Sequence, residues 1–214
     1  MRPEDYDAWY DTPRGRWIGE TEFALLHRML TPRAGESLLD VGCGTGWFTR
    51  RFVDSNDLHV TGLDPNAEWL EYARQRAPQL SWVEGDARKL PFADDSFDHV
   101  ASVTALCFVD DWQQALGEMV RVARRRIVLG LLNRNSLLWR EKGQHGGSGA
   151  YQGAHWHTAK EVRAALATLS GRNVQVRSAI FLPSDSGFAR MLEQALPRQL
   201  PWGGFLAITA DTGR

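Results

Sequence analysis

Residues 37–51 read SLLDVGCGTGWFTRR, and this stretch decides the fold. It opens with a short apolar run that is typical of a buried strand, continues through Gly42, Gly44 and Gly46, and ends in a segment with helical spacing. A glycine turn between a strand and a helix lets the backbone approach a ligand closely, because no Cβ is in the way and a positive φ is permitted. The stretch therefore predicts a strand, a tight turn and a helix that starts at Trp47.

The spacing of these glycines separates two classes of cofactor. The dinucleotide fingerprint G-x-G-x-x-G needs its third glycine where this chain has Trp47, whereas here the third glycine is Gly46. With Asp40 in front, the string LLDVGCGTG resembles the first motif of the class I S-adenosylmethionine-dependent methyltransferases at every defining position. A nicotinamide oxidoreductase is a rival interpretation, and Trp47 argues against it.

The composition is that of an ordinary globular protein. Its 214 residues fit one domain, at or slightly above the usual range of about 100–200 residues. A hydrophobic fraction of 43% and a charged fraction of 24% argue against disordered, collagen-like and disulfide-scaffold classes. The formal net charge of −1 gives no electrostatic case for binding a nucleic acid. We therefore expect no nucleic-acid partner, while the oligomeric state, monomer or homodimer, stays open.

The cysteines and the first residues indicate the cellular compartment of the protein. Cys43 and Cys107 have none of the spacings that mark a zinc site or a redox pair, and free thiols suggest a reducing compartment. The first residues are acidic and aromatic, unlike a signal peptide, and no apolar run approaches the ~18 residues of a membrane span. The sequence predicts a cytoplasmic protein without a membrane span.

Hydrophobic periodicity predicts strands that alternate with helices. Such alternation indicates a Rossmann-like α/β fold, with an open, mostly parallel seven-stranded sheet, helices on both faces and an antiparallel last strand. A capping box at Thr158 and Glu161 predicts a late helix that runs to about Leu169. The predicted strands are 38–41, 58–64, 80–84, 97–103, 127–132, 174–181 and 205–210, and the predicted helices are 19–30, 47–53, 68–77, 112–123 and 158–169, with a short amphipathic segment at 188–196.

Two segments do not follow this alternation of strands and helices. Residues 5–16 fit neither helix nor strand periodicity, and residues 133–157 are rich in glycine and histidine, so that they form either a lid or a disordered connector. We predict one methyltransferase domain over 1–214, with an N-terminal flap and helix at 1–34 and a cofactor-binding core at 35–132. Residues 133–214 form the part that we expect to bind the methyl acceptor, here called the acceptor side, and it includes an insertion from Pro183 to Gly204.

The ends of the predicted strands carry the candidate cofactor residues. Asp64 ends the second strand, 22 residues after Gly42, which is close to the ~20 expected for a carboxylate that holds a ribose diol. The alternative is that Asp64 is a helix N-cap before Pro65. The string EGDARKLPFADDSFD resembles a second methyltransferase segment, which implies that Asp86 binds the adenine amino group and that the following backbone amide, at Ala87, binds a ring nitrogen.

The resemblance implies S-adenosylmethionine as the cofactor and S-adenosylhomocysteine as the product. In the family, the segment after the fourth strand, here Thr104 to Phe108, covers the adenine or methionine part of the cofactor. Cys107 in this segment is interpreted as an inert buried thiol, because nothing beside it lowers its pKa. The predicted cofactor-binding residues are Asp40, Gly42, Cys43, Gly44, Gly46, Asp64, Pro65, Asp86, Ala87, Thr104 and Leu106.

Aromatic and histidine residues are the acceptor-side candidates. Tyr6, Tyr10 and Trp17 form either a flap over the acceptor or a clamp onto the core, and Trp156 is a further acceptor-side candidate. The catalytic residue is unknown, with His155, His157 and Tyr10 as weak candidates. We expect no metal site, because the carboxylate or cysteine partners of these histidines are missing from the sequence pattern.

The resemblance covers residues 35–132 with specific motifs. Within the family, the chain is similar to the small-molecule branch that includes the ubiquinone and menaquinone biosynthesis C-methyltransferases. The resemblance implies methyl transfer to a small, apolar or aromatic metabolite by in-line displacement. Proximity can supply most of the acceleration, so that no dedicated catalytic residue is required. The alternative is a cofactor-binding regulatory or subunit protein without transferase activity, whose pocket would be filled by its own aromatic side chains.

Overall fold

A mixed seven-stranded sheet organises the computed structural model, which describes residues 2–182, 184 and 186–212. Its order is β3-β2-β1-β4-β5-β7-β6, and β7 runs antiparallel to both of its neighbours. The predicted Rossmann-like fold with an antiparallel last strand is confirmed. The strands are β1 Ser37–Val41, β2 His59–Asp64, β3 Ser81–Glu84, β4 Phe97–Val103, β5 Ala123–Leu132, β6 Arg172–Ala179 and β7 Phe205–Asp211.

Helices cover both faces of the sheet. Successive strand residues point to opposite faces, so that Leu38 belongs to the same core cluster as Phe52, whereas Leu39 belongs to the cluster that contains Leu116 and Leu166. All five side chains are fully buried, and each contributes about 1.5–3 kcal/mol to folding. The helices are α1 Pro3–Trp9, α2 Pro13–Leu30, α3 Trp47–Asn56, α4 Ala67–Arg76, α5 Trp112–Val122, α6 Ala159–Thr168 and α7 Gly187–Ala195.

The position of β1 determines where a ligand can bind. Asp40 near its carboxyl end pairs with Gly62 of β2 on one side and with Ala101 of β4 on the other, both in parallel register. The order of the strands along the chain reverses between β1 and β4. In open α/β sheets the crevice beyond the carboxyl ends of the strands at such a reversal is the usual binding site.

The N-terminal segment differs from the prediction. Residues 5–16 were expected to be irregular, but α1 and the first turn of α2 occupy most of them. Thr12 caps α2, since its hydroxyl accepts a hydrogen bond from Gly15 N at 3.0 Å, and Pro13 occupies the first helical position, where no backbone donor is needed. The Thr-Pro pair is a helix-start signal that the aromatic residues around it obscured.

The second half follows the prediction more closely. The segment 133–157 contains only short helical turns, at Trp139–Gly143, Gln144–Gly146 and Gly149–Tyr151. The capping box at α6 is confirmed, because Glu161 N donates to the Thr158 hydroxyl at 3.2 Å. Within the described part of the chain, no helix has the length and apolarity that crossing a bilayer requires. Pro183, Met1, Gly213 and Arg214, which bound the predicted insertion and domain, lie outside the described residues.

Candidate active site

A cavity of about 450 Å³ opens at the carboxyl ends of the central strands, beside the glycine turn. Every predicted cofactor-binding residue lies in its wall except Gly46. The wall is made by Tyr6, Asp40, Val41, Gly42, Cys43, Gly44, Thr45, Trp47, Phe48, Leu63, Asp64, Pro65, Asn66, Trp69, Asp86, Ala87, Ser102, Val103, Thr104, Ala105, Leu106, Phe108, Val109 and Ala150.

The glycine turn joins three elements at the floor of this cavity. Gly42 N donates a hydrogen bond to Leu63 O of β2 at 2.7 Å. Gly42 has a φ of +74°, and a Cβ there would lie 2.2 Å from Ala105 Cβ, so that only glycine lets β1 and the segment after β4 approach so closely. Gly46 serves packing instead, because a Cβ there would lie 2.4 Å from the Trp82 ring.

Asp64 connects the end of β2 to the turn. Its Oδ2 accepts from Gly44 N and its Oδ1 from Asn66 N, each at 2.9 Å. Burial raises the pKa of Asp64, and these two amide donors oppose the rise. Each carboxylate oxygen keeps another lone pair, which suits the hydroxyls of a ribose. The N-cap interpretation of Asp64 is wrong, since Asn66 caps α4 by accepting from Glu68 N and Trp69 N.

Asp40 lies beneath the turn. Its side chain is 1% exposed, and its Oδ2 accepts a hydrogen bond from the Thr49 hydroxyl at 2.6 Å. Burial raises the pKa of Asp40 to about 7, although the Thr49 hydrogen bond opposes the rise. Asp40 therefore fixes the first turn of α3 against β1, and its charge changes near neutral pH.

Arg88 engages Asp86, the carboxylate that follows β3. Arg88 Nη2 donates to Oδ2 at 2.7 Å and Nε to Oδ1 at 3.0 Å. The guanidinium holds the pKa of Asp86 below its usual range. Both side chains are well exposed, so that the pair is weak and a ligand can displace it. The sequence interpretation missed this partner, although an arginine two residues after a turn aspartate is a visible signal.

A sharp turn after β4 forms another part of the cavity wall. Thr104 has a φ of +57°, a conformation that costs a residue with a branched side chain on the order of 1–3 kcal/mol and tends to occur at functional sites. The turn brings Leu106 and Phe108 to the wall, with Leu106 buried and Phe108 exposed. Cys107 is 1% exposed and burial raises its thiol pKa to about 12, which agrees with an inert buried thiol.

Helix α1 contributes Tyr6 to the wall. The Tyr6 hydroxyl lies 3.3 Å from the Tyr10 hydroxyl, and the Tyr6 ring centroid lies 5.1 Å from that of Trp69. Tyr10 itself is buried and stacks on Trp47 with centroids 4.1 Å apart. The helix thus adds one aromatic side chain to the cavity and anchors itself with another.

The other predicted acceptor-side residues lie outside the wall. Trp17 borders a second cleft, of about 280 Å³, together with Arg28 and Arg198. Trp156 is buried, with its ring centroid 5.5 Å from that of Tyr151. A contact of Tyr10, Trp17 or Trp156 with an acceptor would require the N-terminal helices or the 133–157 loop to move, so that their acceptor role stays a prediction.

The two candidate histidines also lie outside the wall. His155 N donates to Cys107 O at 2.7 Å, which places them behind the turn after β4. His155 Nε2 lies 2.7 Å from Glu161 Oε1, and His157 Nδ1 lies 3.2 Å from the same oxygen. The expectation that these histidines lack a carboxylate partner is therefore wrong. The sequence assigned Glu161 to the helix cap alone, and only the path of the loop reveals its second contact.

The glycine turn lies where the strand order reverses, and acidic residues follow the neighbouring strands. This arrangement is typical of an α/β protein that binds a nucleoside-containing cofactor. A family model described as a methyltransferase domain matches residues 39–129. An uncharacterized protein of Mycobacterium tuberculosis is 34% identical over 96% of this chain and 70% of its own length. The ubiquinone/menaquinone biosynthesis C-methyltransferase of Roseobacter denitrificans is 43% identical over 44% of this chain and 41% of its own length.

The solved structure of a possible histamine N-methyltransferase from Thermotoga maritima shares the fold. Its TM-score is 0.79 at 24% identity, over 98% of this chain and 95% of that chain. This chain belongs to the class I S-adenosylmethionine-dependent methyltransferases. Its cofactor is S-adenosylmethionine, and it is a methyltransferase.

The cavity fits this cofactor by its own geometry. The backbone of the glycine turn itself borders the cavity, because Gly42 and Gly44 adopt positive φ and lie in the wall. Asp64 retains acceptor capacity for hydroxyls, and Asp86 is ionised and exposed for an amino group. When bound, the cofactor supplies a methyl group on a sulfonium, which carries its own leaving group.

Proposed function

We propose that this methyltransferase acts on a small, apolar or aromatic metabolite. The observation that carries the proposal is Phe108, which exposes 52% of its surface and yet borders the cavity. A large apolar side chain left open beside a cavity favours an apolar ligand. Val109 and Tyr6 also border this cavity.

We assign cofactor binding to the predicted residues that border the cavity, with Gly46 in a supporting role. The same wall supports the proposed division of the chain into functional parts. All of its residues except Tyr6 and Ala150 lie between positions 40 and 109, within the proposed core at 35–132. Tyr6 belongs to the N-terminal part, 1–34, and Ala150 to the acceptor side, 133–214. Each flanking part therefore supplies one side chain to the wall, and these two side chains can help to form a pocket for the acceptor.

Alignment of the acceptor is the main contribution that these residues make to the reaction. The carboxylates in the wall, Asp40, Asp64 and Asp86, already accept hydrogen bonds from protein groups. We assign these carboxylates to the glycine turn and to the cofactor and none of them to proton abstraction, so that the proposed reaction is driven by proximity and in-line orientation. Good positioning can supply about 7–11 kcal/mol of barrier reduction. The apolar side chains of the wall exclude water from the acceptor.

A pair of exposed phenylalanines provides the test. Phe108 borders the cavity, whereas Phe188 on α7 is 61% exposed and lies outside the wall. Methyl transfer from isotope-labelled cofactor into metabolite extracts, followed by mass spectrometry, identifies the acceptor. We expect Phe108→Ala to raise KM for that acceptor by a larger factor than the cofactor Kd, and Phe188→Ala to leave both values unchanged. Equal KM values, or a polar acceptor, would refute the proposal. Cofactor binding without any transfer would favour a regulatory or subunit protein.

A further inference from the structure

Two histidines and a glutamate meet at the start of α6, outside the cavity wall. Glu161 Oε1 lies 2.7 Å from His155 Nε2 and 3.2 Å from His157 Nδ1, and the three potential ligand atoms all lie within 4.8 Å of one another. In a tetrahedral zinc site with bonds of about 2.0–2.1 Å, the donor atoms are about 3.4 Å apart. Small side-chain rotations would bring these three donors to that spacing.

The backbone holds the two histidines in place. His157 N donates to Leu132 O at 2.8 Å, and His155 N donates to Cys107 O at 2.7 Å. Residues two apart on an extended chain present their side chains to the same face, so that both imidazoles turn toward α6. Glu161 is fixed in the first turn of that helix, where its Oε2 accepts from the Thr158 hydroxyl at 3.1 Å.

His157 is a buried histidine whose ring nitrogens are poorly satisfied. Its side chain is 0% exposed, Nε2 has no hydrogen-bond partner among the residues that the structure describes, and Nδ1 has the 3.2 Å contact with Glu161 without the geometry of a good hydrogen bond. Buried ring nitrogens in that state are uncommon in native proteins and call for a ligand or another explanation. His155 is about half exposed, with 48% of its side chain accessible, which leaves a route from solvent to the cluster.

We propose that His155, His157 and Glu161 bind a divalent transition metal, with zinc as the expected ion and water as its fourth ligand on the side of His155. Two imidazoles and one carboxylate are a donor set that zinc accepts, whereas magnesium and calcium favour oxygen ligands. The Trp112 ring lies against both histidines, with centroids 4.8 Å from His157 and 6.1 Å from His155, and shields one side of the site.

The metal would join the end of the 133–157 loop to α6. Because the ligands lie outside the cavity wall, the site stabilises the loop and takes no part in methyl transfer. The inference does not depend on the acceptor proposed above. The experiment measures metal binding directly, so that a failure to find a methyl acceptor would not count against the metal site.

The test uses metal-free full-length protein titrated with Zn²⁺ by calorimetry and with Co²⁺ by visible absorption. We expect one ion per chain, a tetrahedral Co²⁺ spectrum and, at a Zn²⁺ concentration of a hundred times Kd, a rise in Tm of about 5–10 °C. His155→Ala and Glu161→Gln should each weaken binding at least about tenfold. His145→Ala is the matched control, since it removes an exposed histidine of the same loop that is not part of the cluster.

Two results would overturn the proposal. One is no Zn²⁺ binding by the wild-type protein, and the other is equal Kd values in the wild type, His155→Ala and Glu161→Gln, which would indicate surface or thiol binding. His157 is fully buried, and its replacement risks the fold, so that the partly exposed His155 and Glu161 carry the test. Circular dichroism of the metal-free variants verifies that each is folded before titration.

Discussion

The Thr45 hydroxyl donates a hydrogen bond to Asp7 Oδ1 at 2.9 Å and so joins α1 to the glycine turn. Arg50 Nη2 lies 3.2 Å from the same oxygen, and the Asp7 side chain is only 8% exposed. Thr45 borders the cavity, as does Tyr6, the residue before Asp7. The carboxylate of Asp7 therefore holds the N-terminal helix, and with it Tyr6, beside the cavity.

Replacing Asp7 should weaken both folding and cofactor binding. Asp7→Ala leaves the Arg50 guanidinium and the Thr45 hydroxyl without this partner, and we expect a loss of about 1–3 kcal/mol in the free energy of unfolding. Urea unfolding and calorimetric titration with cofactor measure the two effects. Asp5→Ala is the control on the same helix, because Asp5 is exposed and pairs with the exposed Arg2. A wild-type cofactor Kd in Asp7→Ala would show that α1 does not support the cavity.

Asp64 and Asp86 should both be needed for cofactor affinity. Loss of a charged hydrogen-bond partner costs about 1.5–3 kcal/mol, so that Asp64→Ala and Asp86→Ala should raise the cofactor Kd about 10–150-fold. Calorimetry gives this value directly. Arg88→Ala separates the two roles of Asp86, because it removes the internal partner and keeps the carboxylate. It should bind cofactor as tightly as the wild type or more tightly. Wild-type affinity in both aspartate variants would contradict the assignment.

The features that the sequence predicted correctly are local in the chain. The apolar run of β1, the glycine turn and the position of Asp64 at the end of β2 are each defined by near neighbours, because strand ends and tight turns depend on a few consecutive residues. The contact of Asp7 with Thr45 spans 38 positions and that of Arg126 with Asp211 spans 85. No periodicity marks such pairs, since they exist only after the sheet has formed.

The aromatic residues show the same limit. Tyr6 and Tyr10 are one helical turn apart and look equivalent in sequence, yet the structure directs Tyr6 to the cavity and buries Tyr10 against Trp47. A helix has an inward and an outward face, and which aromatic meets a ligand depends on how that helix is docked. Glu161 was likewise assigned from its cap position, while its contacts to His155 and His157 depend on the path of the preceding loop.

Glu22 on α2 should make stability depend on pH. Burial, with a smaller contribution from the charge of Glu193, raises the pKa of Glu22 from 4.5 to about 8. The folded state then holds a proton that the unfolded state has lost, so that this stabilisation is full below pH 4.5 and is lost as the pH rises through about 8. Tyr6, Tyr10 and Tyr151 also interact electrostatically with this carboxyl.

The neutral variant Glu22→Gln isolates this effect. We expect its free energy of unfolding to match the wild type near pH 4.5 and to exceed it at pH 8 and above, because the glutamine side chain is neutral at every pH. Urea unfolding at the two pH values gives the difference. Glu20→Gln, a change of the same type at an exposed position of α2, should show no such gain. A constant difference between Glu22→Gln and the wild type at both pH values would disprove the assignment.

Methyl transfer should proceed without a metal ion. The carboxylates in the cavity wall accept hydrogen bonds from protein groups, and the candidate zinc ligands lie outside the wall. We expect a chelator to leave the initial rate unchanged at a temperature well below Tm, even where it lowers Tm by removing zinc. Inhibition by the chelator that a divalent ion reverses, without any change in folding, would place a metal in the reaction.

Gly147 and Gly149 distinguish a structured lid from a passive connector in the 133–157 loop. Both have positive φ, so that alanine is unfavourable at either position. A Cβ at Gly147 would lie 2.1 Å from Tyr151 O, whereas at Gly149 no described atom lies within 4 Å. Gly147→Ala must therefore shift the backbone that carries Ala150 in the cavity wall.

If that part of the wall contacts the acceptor, Gly147→Ala should lower kcat much more than Gly149→Ala, with cofactor Kd unchanged in both. Shortening the chain between Gly143 and Gly149 should lower turnover further and again spare cofactor affinity, because closure of the loop excludes water from the transfer. Steady-state kinetics with the identified acceptor and cofactor calorimetry measure the two quantities separately. Wild-type turnover in all three variants would mean that the loop only connects β5 to α6, and that the acceptor is held by the core and α1 alone.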